Sequence, residues 1–167
     1  MGVDADLVRT HLSQPLTRTE LSLSNGRLDL EAFQAIGTCH NLQWLDVSQN
    51  AVRGQHIRAL KQCHQLSQLF LVGCILETAS FQEMQNLAAL TELELSGSNL
   101  SDEHLSELAK LDRITTLRMT ATGISDAGIS KLSSMPSLRQ LDVSRTNVTE
   151  TGVQNLQRAN PNIQVVR

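Results

Sequence analysis

Two Cys-His pairs are the first candidates for chemistry in this chain. Cys39-His40 and Cys63-His64 stand 24 residues apart, and two thiolates with two imidazoles suit zinc. Within each pair, however, neighbouring side chains point in different directions and do not converge on one ion. Cys39 and Cys63 also share a sequence column with Leu87, Leu111 and Met135. They read as buried thiols, which pack as small hydrophobes, and His40 and His64 read as surface residues. Hydrolysis needs a nucleophile, a base and an orienting group in one cleft. Ser96, Asp102 and His104 are close in sequence, but the periodicity below places them on a strand, a helix cap and a helix. His104-Leu-Ser-Glu107 lacks the H-E-x-x-H order of zinc proteases, and the nine glycines are scattered rather than gathered into a phosphate loop. The expectation is a chain that is not an enzyme, with no catalytic residue, no metal and no cofactor.

The bulk properties narrow the class. The hydrophobic fraction of the 167 residues is 40%, aromatics are 2% and Tyr is absent, so the core must be aliphatic. A net charge of -3 gives no general basic footprint for nucleic acid or anionic lipid. Arg118, Arg139 and Arg145 offer only a small basic area, diluted by Glu94 and Asp142. No apolar run approaches the ~20 residues of a membrane helix. The opening Met-Gly-Val-Asp-Ala-Asp lacks the basic and apolar regions of a secretory leader, and Asp6 stands where a myristoylation signal needs Ser or Thr. Three cysteines without a leader read as reduced thiols in a cytoplasmic protein. A secreted effector is the competing reading of location. Asn99-Leu-Ser101 and Asn147-Val-Thr149 match the glycosylation acceptor pattern, but they share one repeat column and read as turn and cap residues.

An internal repeat organises the chain. The pattern L-x-x-L-x-L-x-x-N/C-x-L runs Leu42, Leu45, Val47, Asn50, Val52. It returns every 24 residues with its second and third positions at Leu69 and Leu71, Leu93 and Leu95, Leu117 and Met119, and Leu141 and Val143. One step back, Arg18, Leu21, Leu23, Gly26 and Leu28 form a copy degraded at its first position. A second signal comes from the columns Phe33, Ile57, Phe81, Leu105, Ile129, Val153 and Ile36, Leu60, Met84, Leu108, Leu132, Leu156. Their i, i+3 spacing is one buried helical face. Ser101-Asp102, Ser125-Asp126 and Thr149-Glu150 precede it in the last three copies. They suit an N-capping hydroxyl with an acid at the positive end of the helix dipole. We expect a helical N-terminal cap over residues 1–17, six 24-residue repeats over 18–161, and a truncated seventh over 162–167. No repeat can bury its apolar face alone, so stacked neighbours must share a core.

Over residues 18–167 these motifs resemble leucine-rich-repeat proteins. Cys39-x-x-Leu42-x-x-Leu45-x-Val47-x-x-Asn50 and Cys63-x-x-Leu66-x-x-Leu69-x-Leu71-x-x-Cys74 resemble the cysteine-containing subfamily. Ile124-Ser-Asp-Ala-Gly-Ile129 is similar to that subfamily and to bacterial 24-residue relatives. The resemblance implies an α/β fold, a right-handed solenoid with a concave parallel β-sheet and convex short helices. It also implies non-catalytic protein recognition. In F-box proteins of this type the repeats select substrates for ubiquitin ligation. This chain departs from them in its shorter repeat and in having no room for an F-box before Arg18. The substrate-recognition part of a ubiquitin-ligase adaptor, or of an effector resembling one, is therefore the alternative reading.

Alternation within each strand defines the candidate binding face. Where Leu45 and Val47 point inward, Trp44, Asp46 and Ser48 point outward. The outward positions hold Trp44, Asp46, Gln68, Phe70, Val72, Glu94, Arg118 and Asp142, our candidate partner-binding residues. Trp44, Phe70 and Val72 are apolar on a face that is otherwise polar, and exposed apolar clusters with Trp tend to mark interfaces. The expected partner is a protein, with Asp46, Glu94, Arg118 and Asp142 setting electrostatic register. Exposed edge strands make a weak homodimer the competing use of the surface.

Overall fold

The computed structural model of the chain describes residues 18–167, so the helical cap expected over 1–17 lies outside the described residues. Strands recur at the 24-residue step: β1 (Glu20–Ser22), β2 (Trp44–Asp46), β4 (Gln68–Phe70), β6 (Glu92–Glu94), β7 (Thr116–Arg118), β8 (Gln140–Asp142) and β9 (Gln164–Val166). Among the described residues they form one seven-stranded parallel sheet in that order. The register never slips: Leu21, Leu45, Leu69, Leu93, Leu117, Leu141 and Val165 stand opposite one another in succession. Register is fixed because a one-residue slip would turn this leucine row outward. Two shorter strands past the first turn, β3 (Ala51–Val52) and β5 (Ile75–Leu76), pair separately.

The return path of each coil carries one short helix: α1 (Leu30–Ile36), α2 (Gly54–Ala59), α3 (Thr78–Met84), α4 (Leu105–Leu108), α5 (Asp126–Ile129) and α6 (Glu150–Ala159). Most are too short to be stable alone. They are held by burial of the two columns read from the sequence, with Phe33, Phe81, Ile36 and Leu60 fully enclosed. The result is one continuous aliphatic core, with the strands on one side and the helices on the other.

The turn after each strand has a period that the residue types conceal. Asn25, Gln49, Gly73, Gly97, Ala121 and Arg145 all have φ between 55° and 65°. Each of the first five donates its amide to the following coil's strand end, as in Ala121 N–H to the Ser144 carbonyl at 2.9 Å. Only two of the six are glycine, although a left-handed conformation costs an ordinary L-residue about 1–2 kcal/mol. Ala121→Gly is therefore expected to raise stability by up to about 1 kcal/mol, the relief of strain outweighing the extra freedom of the unfolded chain. A higher urea midpoint at unchanged slope would show it; a lower midpoint would refute it.

The cap positions differ from the sequence expectation. Ser125 and Thr149 do cap α5 and α6, accepting from the Ala127 and Gly152 amides. Ser101 does not: α4 starts only at Leu105, and the Ser101 amide donates instead to Nδ1 of His104 at 3.2 Å. Asp102 and Asp126 reach across to the next coil. Asp102 accepts from the Ser125 amide at 2.8 Å and its hydroxyl at 2.6 Å. Asp126 accepts from the Thr149 amide at 2.7 Å and its hydroxyl at 2.6 Å. The Thr149 hydroxyl and amide hold the Asp126 carboxyl below its ordinary 3.8. Each hydroxyl thus donates to the acid of the preceding coil while accepting from its own helix, so these acids staple coils together.

A candidate protein-binding face

Trp44 and Phe70 meet on neighbouring strands. Their ring centroids lie 5.2 Å apart at an interplanar angle of 46°, a tilted geometry favoured by ring quadrupoles. Both are half-buried, as is Val72 two residues beyond Phe70. They meet because β2 and β4 are in register, with Asp46 opposite Phe70 and Trp44 opposite Gln68. The pair is therefore diagonal across the outward surface.

The polar candidates fall into two groups. Asp46 accepts from the Ser48 amide at 2.9 Å and from the Ser22 hydroxyl at 3.1 Å. Glu94 accepts from the Ser96 amide and Asp142 from the Ser144 amide, both at 2.9 Å. In the intervening coils, the Val72 and Thr120 amides donate instead to the hydroxyls of Ser48 and Ser96 at 3.0 and 3.1 Å. A two-coil alternation thus satisfies the amides at these strand ends, and the three acids help build the strands as well as facing outward. Glu94, expected to be open to solvent, is 9% exposed, because its carboxylate folds back onto its own strand. Burial works to raise the Asp142 pKa, but the Ser144 side chain and amide, Thr120 and Arg118 bring it below its ordinary value.

Arg118 and Gln68 both converge on Glu92. Gln68 donates to one Glu92 oxygen at 2.8 Å, and the Arg118 guanidinium pairs with the other. Hydrogen bonding to Glu92 raises the Arg118 pKa, with Glu94 and Asp142 acting in the same sense. Arg118, Gln140, Asp142, Gln164 and Val166 line a shallow groove of about 290 Å³ at the far end of this face. Val166 is 58% exposed and was not among the expected residues. Extending the outward column Asp46, Phe70, Glu94, Arg118, Asp142 by one more step would have found it. Ile75, 65% exposed on β5, was also missed; its signal is alternation with the buried Cys74 and Leu76.

The competing chemical sites are not assembled. Ser96 accepts from the Thr120 amide, Asp102 holds Ser125, and His104 holds Ser101, so each of these three residues has a separate partner. Cys39 and Cys63 are buried while His40 and His64 are exposed, which splits each Cys-His pair. Burial pushes the Cys63 thiol up to about 12 and the Cys74 thiol up to about 11, and raises that of Cys39. Such thiols stay protonated at neutral pH and are poor nucleophiles and ligands. Among the described residues, no three His, Cys, Asp or Glu side chains are grouped to hold a metal, and no helix is long and apolar enough to cross a membrane. Asn99 pairs with both the amide and carbonyl of Leu76, the turn role read from the sequence.

Comparison with known proteins agrees with this geometry. Residues 89–111 match a leucine-rich-repeat family model, and residues 134–156 match a second one. No curated protein matches the chain. Among solved structures, an internalin from Listeria monocytogenes superposes with a TM-score of 0.58 at 15% sequence identity, covering 97% of this chain and 48% of the internalin chain. The chain thus spans about half the length of that neighbour, and the likeness is one of fold. Both matched segments fall within coils whose strands repeat seven times in one parallel sheet among the described residues, and on these grounds the chain carries leucine-rich repeats.

Proposed function

We propose that the chain is a non-catalytic recognition module that binds a protein partner on the outward face of its seven-stranded sheet, the face expected to be concave. The Trp44–Phe70 contact carries the reading. It places the only Trp of the chain and one of its three Phe together on the polar side of the sheet, where no core demands them. Large rigid aromatics gain more from desolvation by a partner than polar neighbours do. The fold family supports the reading, since leucine-rich-repeat domains generally mediate protein-protein interaction.

The surrounding charge favours one kind of partner. Among the described residues, Glu20, Asp46, Glu92, Glu94 and Asp142 lie on the outward positions of the sheet strands, against the single cation Arg118. That face is more negative than the whole chain, whose net charge is -3. A partner segment carrying Lys or Arg would match it, with a guanidinium able to stack on the Trp44 ring.

The test is affinity capture with wild type beside a Trp44→Ala, Phe70→Ala double variant whose fold is verified by circular dichroism. Loss of the two anchors is expected to weaken binding of the captured protein about 10- to 100-fold, and salt should weaken it further. Undiminished capture by the double variant would sink the assignment of this face.

A further inference from the structure

His56 is built into the protein as an unprotonated part. It lies in α2, on the side opposite the candidate face, and is 7% exposed. Its Nδ1 accepts a hydrogen bond from the Arg53 amide at 3.1 Å, and its ring also hydrogen-bonds the Ala51 backbone. The ring stacks on Phe33 of the preceding coil, with centroids 4.8 Å apart and planes within 11°. Arg53 is the N-cap of α2, and its own side chain makes no capping hydrogen bond. The imidazole therefore accepts the N-cap amide, the work that Asp102 and Asp126 do for the Ser125 and Thr149 amides in later coils, and it does so only while Nδ1 has a free lone pair.

We propose that His56 is a proton sensor: its protonation in mild acid releases the first turn of α2 and loosens the second coil. A proton on Nδ1 would set two N–H donors against each other at the helix start. It would also place a charge in a buried site against an aromatic face. The charged groups around the ring are Asp29 from the cap of α1, Arg53 from its own cap, and Glu77 from the cap of α3. Arg53 and Glu77 are themselves paired at 3.5 Å. Asp29 and Glu77 favour the imidazolium while Arg53 opposes it. Burial outweighs them, lowering the His56 pKa from its ordinary 6.5. Because the folded pKa is the lower one, the unfolded chain binds the proton more tightly. The stabilisation is complete above pH 6.5 and is lost as pH falls from there toward the folded value. Asp126, whose carboxyl titrates below 3.8, keeps the staple between the fifth and sixth coils intact through that window.

Two measurements on the intact chain decide the matter. Nuclear magnetic resonance of the His56 ring protons through pH 7.5–4.5 should give a midpoint below 6.5, and the Arg53 amide should lose hydrogen-exchange protection over the same range. For one proton the loss can approach but not exceed about tenfold per pH unit. His56→Gln supplies an acceptor and a donor that do not titrate in this range, and it should flatten the dependence. A ring midpoint at or above 6.5 would overturn the proposal. So would a His56→Gln variant that loses Arg53 protection with acid as wild type does. If that variant does not fold, the wild-type ring titration decides alone.

Discussion

Asn50→Ala should cost about 3–4 kcal/mol, more than a typical core truncation to a smaller apolar residue. Asn50 is 5% exposed and serves the backbone of two coils. Its Oδ1 accepts from the Leu28 amide at 3.2 Å. Its Nδ2 lies 2.9 Å from the Val47 carbonyl, 3.0 Å from that of Ser48 and 3.3 Å from that of Leu23. Removing the amide strands a buried donor and several acceptors, each worth about 1–3 kcal/mol when left unsatisfied. The same position one coil later is Cys74, whose thiol donates weakly to the Val47 carbonyl at 3.4 Å, and two coils later it is Ser98, whose buried hydroxyl has no partner. The column thus loses polar service over these three coils and regains it at Thr122 and Thr146, whose hydroxyls donate to the Met119 and Val143 carbonyls, and Ser98→Ala should be close to neutral where Asn50→Ala is severe. Urea unfolding of both variants gives the comparison; a loss at Asn50 below about 1 kcal/mol would show that water replaces the side chain.

Gly152→Ala should destabilise by about 2–3 kcal/mol, although Ala is the better helix former by about 1 kcal/mol. Gly152 lies in the first turn of α6, and a Cβ there would meet Asp126 Oδ1 at 2.1 Å and its Cγ at 2.5 Å. The carboxylate would have to leave, and with it both bonds to Thr149. Both are charge-assisted bonds, stronger than neutral ones, and their loss outweighs the helical gain. The sign should reverse in an Asp126→Ala background, where the site is empty and Ala regains its helical advantage. A double-mutant cycle by urea unfolding reads this directly. A Gly152→Ala variant more stable than wild type with Asp126 present would remove the staple from the description of the fold. Gly128 faces Asp102 in the same way, at 2.2 Å, so the recurrence of glycine three residues after the capping hydroxyl reflects the preceding coil's acid rather than any need for flexibility.

The fold was legible because its determinants are periodic and local. Apolar residues two apart beginning in each of the first six strands, and apolar pairs three apart on each return path, bury as expected. A solenoid lets one coil's solution serve the next. The outward placement of Trp44 and Phe70 was legible for the same reason, since alternation in a strand leaves little choice.

The sequence by itself therefore determined the coil, its buried rows and the residues offered to solvent. The tertiary structure alone decided what the coils do to each other. Nothing in Ser125-Asp126-Ala127-Gly128 reveals that Asp126 will bond Thr149 or that Gly128 makes room for Asp102, because those partners are about 24 residues away and depend on the stacking offset between coils. The burial of Glu94 and the capture of the Arg53 amide by His56 are likewise invisible in composition. A side chain's choice between solvent and a neighbouring backbone amide is settled by distances of a few tenths of an ångström, and those exist only once the coils are packed.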